Sequence, residues 1–250
     1  MFSATLADPK VLKDSIDTIA ALIDEGTLRI KPEGLELIAA DRAMVAMVDW
    51  KLSSSAFENW NCDKPHSVGL NLLNLLTVLK RAGPDDKITL KLNETENRFE
   101  ITLTGDSLRK FAVPLLELGG EEAPNVSAFE FAANAEVSAD VLAAGIDDAA
   151  VIADSVTVEL EPSSLKMWAE GDSSKTELKL DKGSIALTSV NAPGPAKSRY
   201  PLDYLKKALK AGKLASRASL KLSNDYPMRL DFIGDKVKLG FIIAPRVAEE

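Results

Sequence analysis

Residues 12–39, LKDSIDTIAALIDEGTLRIKPEGLELIA, align without a gap with residues 142–169, LAAGIDDAAVIADSVTVELEPSSLKMWA. The positions of the first stretch that meet an identical residue in the second are Leu12, Ile16, Asp17, Ala20, Asp24, Thr27, Pro32, Leu35 and Ala39. The same offset of 130 residues aligns Leu72, Leu75, Leu79 and Lys80 with Leu202, Leu205, Leu209 and Lys210. Because distant segments share one offset, a whole domain has been duplicated. The sequence therefore predicts two similar domains whose arrangement carries the function.

The composition is typical of a globular protein from a reducing compartment. Of 250 residues, 46% are hydrophobic and 27% are charged, which is an ordinary balance. The chain has no apolar run long enough to cross a bilayer, and its start lacks a signal-peptide pattern. Cys62 is the only cysteine, which excludes an internal disulfide framework. We therefore expect a soluble, intracellular protein.

Hydrophobic periodicity predicts the same order of elements in both halves, and so an α+β fold with antiparallel sheets. The predicted helices are 9–24, 72–82, 139–153 and 201–211. The predicted strands lie near 27–31, 35–40, 45–52, 87–92, 98–104, 108–115, 156–161, 165–170, 175–181, 185–190, 218–223, 228–233 and 236–243. Residues 116–130 contain Gly119, Gly120 and Pro124 and have the composition of a linker. The predicted division is a first domain at 1–115, a connector at 116–130 and a second domain at 131–250.

Motifs for catalysis are absent from the sequence. There is no GxxxxGK[ST] loop, no GxGxxG after a strand, and no HExxH, CxxC or GxSxG. Cys62 and the single histidine, His66, stand four positions apart in what we interpret as a loop. Two ligands are too few for a metal site, which needs three or four. The sequence predicts a protein that is not an enzyme, with no cofactor, no metal and no catalytic residues.

The charge is unevenly distributed along the chain. The net charge is -8, yet residues 201–222 hold six basic residues against Asp203 alone. Lys206, Lys210 and Lys213 share one face of the predicted helix, and three leucines take the opposite face. Such a face is usually only solvated, but its recurrence at the matching helix of the first half favours a function. Lysines without interleaved aromatic residues suit sequence-independent contact with phosphates.

The whole chain resembles the sliding clamps of the proliferating cell nuclear antigen family, in particular those of archaea. The stretches that carry the resemblance are LKDSIDTIAALIDEG (12–26), GLELIAADRAMVAMVDWKL (34–52), VLKRAGPDDKITL (78–90), YPMRLDF (226–232) and FIIAPRVAEE (241–250). The resemblance implies the DNA-clamp fold, in which three subunits of two domains form a ring with the sheets outside and helices lining a central hole. It also implies pairing between 108–115 and 175–181 of the next subunit. The subunit-interface residues expected on this basis are Leu108, Arg109, Lys110, Phe111, Lys175, Glu177, Leu178 and Leu180.

The resemblance further implies a processivity factor that encircles double-stranded DNA without sequence preference. The residues expected to face DNA are Lys10, Lys13, Lys80, Arg81, Lys206, Lys207, Lys210 and Lys213. The expected partners are the clamp loader, DNA polymerase, flap endonuclease and DNA ligase, which are expected to insert a short Gln-led, clamp-binding motif with apolar and aromatic anchors into a pocket beneath the connector. The expected pocket residues are Met44, Val45, Met47, Val126, Phe129, Pro227, Ile243, Ala244 and Pro245. The expected location is the cytoplasm, on the nucleoid, for an archaeal protein and the nucleus for a eukaryotic one; no membrane is involved.

One helix departs from the family pattern and keeps alternatives open. Helix 139–153 contains Asp140, Asp147 and Asp148 and no basic residue, where the family places arginine or lysine. Either the ring tolerates weak contact with DNA, or sister subunits of a heterotrimer supply the missing charge. The other hypotheses for the function are a checkpoint-type clamp, an α+β enzyme and a monomeric adaptor. A monomeric adaptor would need edge strands that are protected from pairing with another chain. Residues 108–115 are instead largely apolar, with Arg109 and Lys110 among them.

Overall fold

A computed structural model of the protein describes residues 1–119 and 124–246. Positions 120–123 of the predicted connector and positions 247–250 of the predicted tail lie outside the described residues. The chain divides into two compact units. The described residues of the first unit fall within Met1–Arg42, Val48–Pro124 and Gly234–Leu239, and those of the second within Ala43–Met47, Asn125–Ile233 and Gly240–Glu250.

The elements of both halves follow the order predicted from the repeat. In the first half they are β1 (Phe2–Leu6), α1 (Lys10–Ile19), β2 (Glu25–Lys31), β3 (Gly34–Ala40), β4 (Ala46–Ser53), β5 (Asn59–Cys62), β6 (His66–Asn71), α2 (Leu72–Leu79), β7 (Lys87–Asn93), β8 (Arg98–Thr104) and β9 (Leu108–Pro114). In the second half they are β10 (Ala133–Ser138), α3 (Ala139–Ile152), β11 (Ser155–Glu161), β12 (Ser164–Glu170), β13 (Lys175–Asp181), β14 (Leu187–Asn191), β15 (Ala196–Pro201), α4 (Leu202–Leu209), β16 (Arg217–Leu222), β17 (Met228–Ile233) and β18 (Val237–Ile243).

The strand ladders with an assigned register are antiparallel in both units. In the first unit, β5-β1-β7-β8-β9 form one sheet, and β4, β3, β2 and β6 are neighbours in another. In the second unit, β13-β12-β11-β15 form one sheet, and β14, β10, β16 and β17 are neighbours in another. The predicted α+β fold with two similar, mostly antiparallel domains is therefore confirmed.

The helices bury one apolar face each, and side-chain oxygens accept N–H groups at the starts of α1 and α2. Asp8 Oδ1 accepts the Lys10 N–H at 2.8 Å at the start of α1, and Asn71 Oδ1 accepts the Asn74 N–H at 2.9 Å at the start of α2. Such side-chain caps satisfy N–H groups that have no partner within the helix. The α1 helix packs on α2, and α3 packs on α4. Each pair covers the apolar core of its own unit, where Trp50 and Tyr200 have no exposed surface.

The structure differs from the predicted elements in its helix ends and in its strands, and α2 ends at Leu79 and not at position 82. The α1 helix ends at Ile19 and not at position 24, because Leu22 already donates to Ile19, three positions back, in a tighter turn. Five strands were not predicted, namely β1, β5, β6, β10 and β15. As a result, Cys62 ends β5 and His66 begins β6, so the prediction of a loop around these two residues is wrong. The buried face of β15 consists of Ala196, Ser198 and Tyr200, a pattern without the alternation of large apolar residues that identifies a strand.

Candidate DNA and partner interfaces

The lysines expected on one helical face are divided between α4 and the 3-10 turn that follows it. Leu202, Leu205 and Leu209 are buried, whereas Lys206 and Lys210 are exposed. Beyond α4 the chain continues as a 3-10 turn, Lys210–Lys213, which also exposes Lys213. Two neighbouring contacts restrain this face: Lys206 Nζ lies 3.2 Å from Asp147 on α3, and the Lys207 ammonium lies 5.3 Å from the centre of the Tyr204 ring.

The candidate DNA-facing residues of the first unit lie on α1 and just after α2. Lys10 is exposed and Lys13 is half-buried. Lys80 and Arg81 are exposed, and Lys80 Nζ lies 2.7 Å from Asp17 on α1. In each unit, one candidate lysine thus lies beside a carboxylate of the neighbouring helix: Lys80 beside Asp17 and Lys206 beside Asp147. An exposed pair of this kind is worth little, about 0 to 1 kcal/mol, so these lysines can exchange partners.

The acidic residues of α3 lie on its solvent side. Asp140, Asp147 and Asp148 are all exposed, and Val151 near the end of the helix is 83% exposed. The buried residues of the helix are small or apolar, and Gly145 is among them. A Cβ at Gly145 would lie 2.6 Å from both Met167 Cε and Leu178 Cδ2, so the side chains of Met167 on β12 and Leu178 on β13 pack directly against the helix at this glycine. The acidic residues that distinguish this helix from the family pattern therefore all lie on its exposed face.

Both candidate interface strands occupy sheet edges. Among the described strands, β9 pairs only with β8, and β13 pairs only with β12. On β9, Leu108 is 62% exposed and Lys110 is exposed, while Arg109 and Phe111 are half-buried. On β13, the half-buried face consists of Thr176, Leu178 and Leu180, and the exposed face of Lys175, Glu177, Lys179 and Asp181. Unpaired N–H and C=O groups on such edges readily pair with another strand.

Arg109 is already engaged within its own unit. Its guanidinium contacts the Asp86 carboxylate and donates to the Arg81 carbonyl at 3.0 Å. The Gly83 N–H donates to the same carboxylate at 2.6 Å. The Gly83 N–H and the Arg109 guanidinium together hold the pKa of the Asp86 carboxyl below its ordinary value. Asp86 thus supplies a counterion for Arg109 within the same unit.

The candidate pocket residues all lie in the second unit. Met44 is 65% exposed with a positive φ of 57°, and Val45 accepts the Ala244 N–H at 2.8 Å. Phe129 meets the Tyr226 ring edge-on at a centroid distance of 6.2 Å. The other candidates Met47, Val126, Pro227 and Pro245 are half-buried, as are Val45, Phe129 and Ala244.

The structure changes the role of one predicted pocket residue and points to two residues that the sequence analysis did not assign to the pocket. Ile243 is fully buried, so its side chain supports the neighbouring residues from within and offers no surface. Tyr226 was not predicted as a site residue, yet its ring meets both Phe129 and Phe131. Arg229 was not predicted either, although it donates to the Val126 carbonyl at 3.3 Å. Both residues belong to the stretch YPMRLDF, which was singled out without assigning them a role.

The described residues hold little that suggests chemistry. No group of three or more His, Cys, Asp or Glu side chains within 1–119 and 124–246 could hold a metal ion. His66 is buried, with its Nδ1 3.1 Å from Glu94 and its Nε2 3.4 Å from Asp63. Among the described helices, none combines the length and the apolar character needed to span a membrane.

Fold and surface together define a class: a tandemly duplicated α+β protein with lysine-bearing helices and unpaired edge strands. The model of the proliferating cell nuclear antigen N-terminal domain matches residues 1–119, and that of its C-terminal domain matches residues 125–247. The DNA polymerase sliding clamp of Pyrococcus furiosus is 31% identical over 249 residues, covering 99% of each chain. That of Nanoarchaeum equitans is 33% identical over 245 residues, covering 97% of this chain and 98% of the relative.

Solved structures agree with this assignment. The PCNA of Thermococcus kodakaraensis superimposes with a TM-score of 0.89 at 26% identity, over 98% of this chain and all of that chain (100%). The PCNA of Entamoeba histolytica superimposes with a TM-score of 0.90 at 21% identity, over 98% of this chain and 99% of that chain, and supports the fold alone. The chain belongs to the proliferating cell nuclear antigen family.

Proposed function

We propose that this chain is a subunit of a DNA polymerase sliding clamp, a ring that encircles duplex DNA and keeps the replicative polymerase on its template. The observation that carries the proposal is similarity over the whole chain to proteins named DNA polymerase sliding clamp. The clamp acts by topology and contact alone, as a scaffold without catalytic residues, cofactor or metal. We assign residues 1–115 and 131–250 to its two domains and residues 116–130 to the connector.

Weak contact with phosphates suits sliding. The candidate cations on α1, just after α2, and on α4 and the turn that follows it are assigned to the DNA side of the ring, which leaves the acidic remainder to repel DNA. Each lysine adds a small, salt-screened attraction that does not depend on sequence. Because Lys80 and Lys206 also contact Asp17 and Asp147, each can pass from a phosphate back to a carboxylate. A ring held by topology needs no tighter grip, and a tighter grip would slow its movement.

Ring closure is assigned to the two edge strands, with β9 of one copy pairing with β13 of the next. Pairing would satisfy the free backbone groups of both edges. It would also place Phe111 of β9 beside Leu178 or Leu180 of β13. All three are apolar side chains on the half-buried face of their strand. A head-to-tail contact of this kind closes when the rotation per subunit fits the ring. Three copies of this chain form the proposed homotrimer.

Partners are assigned to the groove beside the connector. Met44, which precedes the Val45 that accepts the Ala244 N–H, offers an exposed and adaptable thioether, and the Phe129–Tyr226 ring pair offers an aromatic surface. Methionine beside aromatic residues suits a surface that accepts several different peptides. The proposed users of the groove are the clamp loader, DNA polymerase, flap endonuclease and DNA ligase. The proposed location is the cytoplasm, on the nucleoid.

A heterotrimeric ring, or a checkpoint-type clamp, is the second candidate. The specific observation in its favour is the exposed acidic face of α3, where Asp147 takes up Lys206 of the same unit. Sister subunits with basic residues at this helix would restore the attraction to DNA. Light scattering at micromolar concentration distinguishes the two, since the homotrimer has about three chain masses. A monomer or dimer that reaches three masses only with sister chains supports the heterotrimer.

The test of encirclement is loading onto circular DNA. With the clamp loader and ATP, labelled protein is expected to co-elute with a nicked plasmid in gel filtration, and to be lost once the plasmid is cut. Retention on the cut plasmid would contradict topological binding.

For ring closure, Leu108→Asp is expected to lower the native mass by placing a charge on β9, whereas Ile233→Asp should leave it unchanged. Leu108 and Ile233 are both 62% exposed, so the two substitutions are matched.

A further inference from the structure

A buried ion pair lies on β17. Arg229 is 8% exposed and Asp231 is 4% exposed, and their positions i and i+2 put them on the same face of the strand. Arg229 Nε donates to Asp231 Oδ1 at 3.0 Å and to Oδ2 at 2.9 Å, and Nη2 donates to Oδ1 at 2.9 Å. Lys221 Nζ lies 3.9 Å from the same carboxylate. Desolvation offsets most of the Coulombic attraction in such pairs, so sheet stability alone is a weak reason for one.

The surrounding backbone is shaped to admit the pair. A Cβ at Gly240 would lie 2.6 Å from Asp231 Oδ1 and 3.1 Å from Arg229 Nη2. No ordinary side chain tolerates the first of these distances without a shift of the carboxylate. Glycine at this position therefore leaves room for the charged groups. The ion pair is built into this part of the sheet and is not an accidental surface contact.

A third nitrogen of the Arg229 guanidinium donates to a group outside the ion pair. Its Nη1 donates to the Val126 carbonyl at 3.3 Å, which ties β17 to the described end of the connector. The same segment also has local bonds, from the Ser127 N–H and hydroxyl to Asn125 Oδ1 at 3.2 and 2.8 Å, and the ring contact between Phe129 and Tyr226. A planar guanidinium can bind a carboxylate with one edge and a carbonyl with another, which an ammonium cannot do with the same geometry.

We propose that Arg229 is a positioning residue for the partner-peptide groove. Held in one orientation by Asp231, it fixes the Val126 carbonyl and so sets where the connector runs beside Phe129. This inference rests on the proposed function, because the groove is the partner site assigned there. The ion pair then contributes to partner binding by ordering the connector in advance, which lowers the entropy lost when a peptide binds. A purely apolar pair would fill the same space without holding Val126.

Two variants separate this role from simple stability. Arg229→Met with Asp231→Leu removes both charges, which is often neutral or stabilising for a buried pair. Arg229→Lys keeps the positive charge and removes the planar guanidinium that binds the carboxylate and the Val126 carbonyl together. The matched control is Lys166→Met with Glu161→Leu, which removes a 2.9 Å ion pair elsewhere in the second unit. The readouts are binding of a fluorescent, Gln-led clamp-binding peptide, deuterium uptake at residues 124–131, native mass and Tm.

Both Arg229 variants are expected to bind the peptide at least about fivefold more weakly and to take up deuterium faster at 124–131, with native mass unchanged. The control is expected to match the parent protein. Unchanged affinity and uptake in both variants would overturn the proposal, as would faster uptake throughout the second unit, which indicates only loss of stability. If the parent binds no peptide, the assigned groove fails, while uptake at 124–131 still decides whether Arg229 holds the connector.

Discussion

The contribution of the α4 lysines to DNA affinity can be predicted quantitatively. The perturbation is a triple variant, Lys206→Ala, Lys210→Ala and Lys213→Ala, which removes exposed cations and leaves the buried leucines in place. Each phosphate that a lysine neutralises contributes about 0.9 to the slope of log affinity against log salt. Three contacts by one subunit therefore contribute about 2.7. If Lys206 stays with Asp147, its partner at 3.2 Å, two contacts contribute about 1.8.

These slopes translate into a measurable difference. Between roughly 50 and 200 mM salt, the parent protein should lose about 10- to 40-fold more affinity for a short duplex than the triple variant. The assay is fluorescence anisotropy with a labelled duplex of mixed sequence across that salt range. The control removes the same charge from exposed lysines outside the helices, by Lys182→Ala with Lys236→Ala and Lys197→Ala, and should keep the parent slope. Equal slopes for the two triple variants would refute the assignment of α4 to the DNA side.

Two further predictions concern the first unit. A backbone N–H and Arg109 lower the pKa of the Asp86 carboxyl, so its stabilising contacts are present at neutral pH and are lost as pH falls below the ordinary value of 3.8. Thermal scans should therefore show a shallower loss of Tm with acid for Asp86→Asn than for the parent, and parallel curves would contradict this. A Cβ at Gly69 would lie 2.3 Å from the Leu116 carbonyl oxygen. Gly69→Ala should cost about 1 to 3 kcal/mol and lower Tm, whereas Gly194→Ala, which meets nothing within 4 Å, should not; equal Tm values would contradict the steric argument.

The sequence predicted the helices better than the strands, for a physical reason. Leu202, Leu205 and Leu209 recur at helical spacing over a polar background, so one amphipathic pattern identifies both the element and its buried face. Strands of four to seven residues leave a weaker trace. In β15 the inward positions include Ser198, and β5 buries no residue fully. Such strands form because neighbouring strands supply their hydrogen bonds, which is tertiary information.

The candidate surfaces divide in the same way. The lysines of α4 were identified from charge and periodicity, because exposure follows directly from the helical pattern. The pocket was assigned through resemblance, since no local pattern joins Met44 to Phe129. Arg229 was missed because its role depends on a contact 103 positions away along the chain, with Val126. A charged residue within an apolar strand was the available signal, and the alternation in MRLDF shows that Arg229 and Asp231 share a face.

The arrangement of acids beside the lysines bears on how such a clamp moves. If Asp17 and Asp147 were basic, the helices would hold phosphates more tightly, and each step along the duplex would break more contacts. With the acids present, a lysine that leaves a phosphate has a carboxylate within 2.7 or 3.2 Å, so the step costs less. Asp147→Asn, which removes the carboxylate charge and keeps the size of the side chain, should therefore increase the affinity for short duplexes and, on loaded circular DNA, slow diffusion along the duplex in single-molecule tracking. Unchanged affinity and diffusion would show that Asp147 does not compete with the phosphates for Lys206.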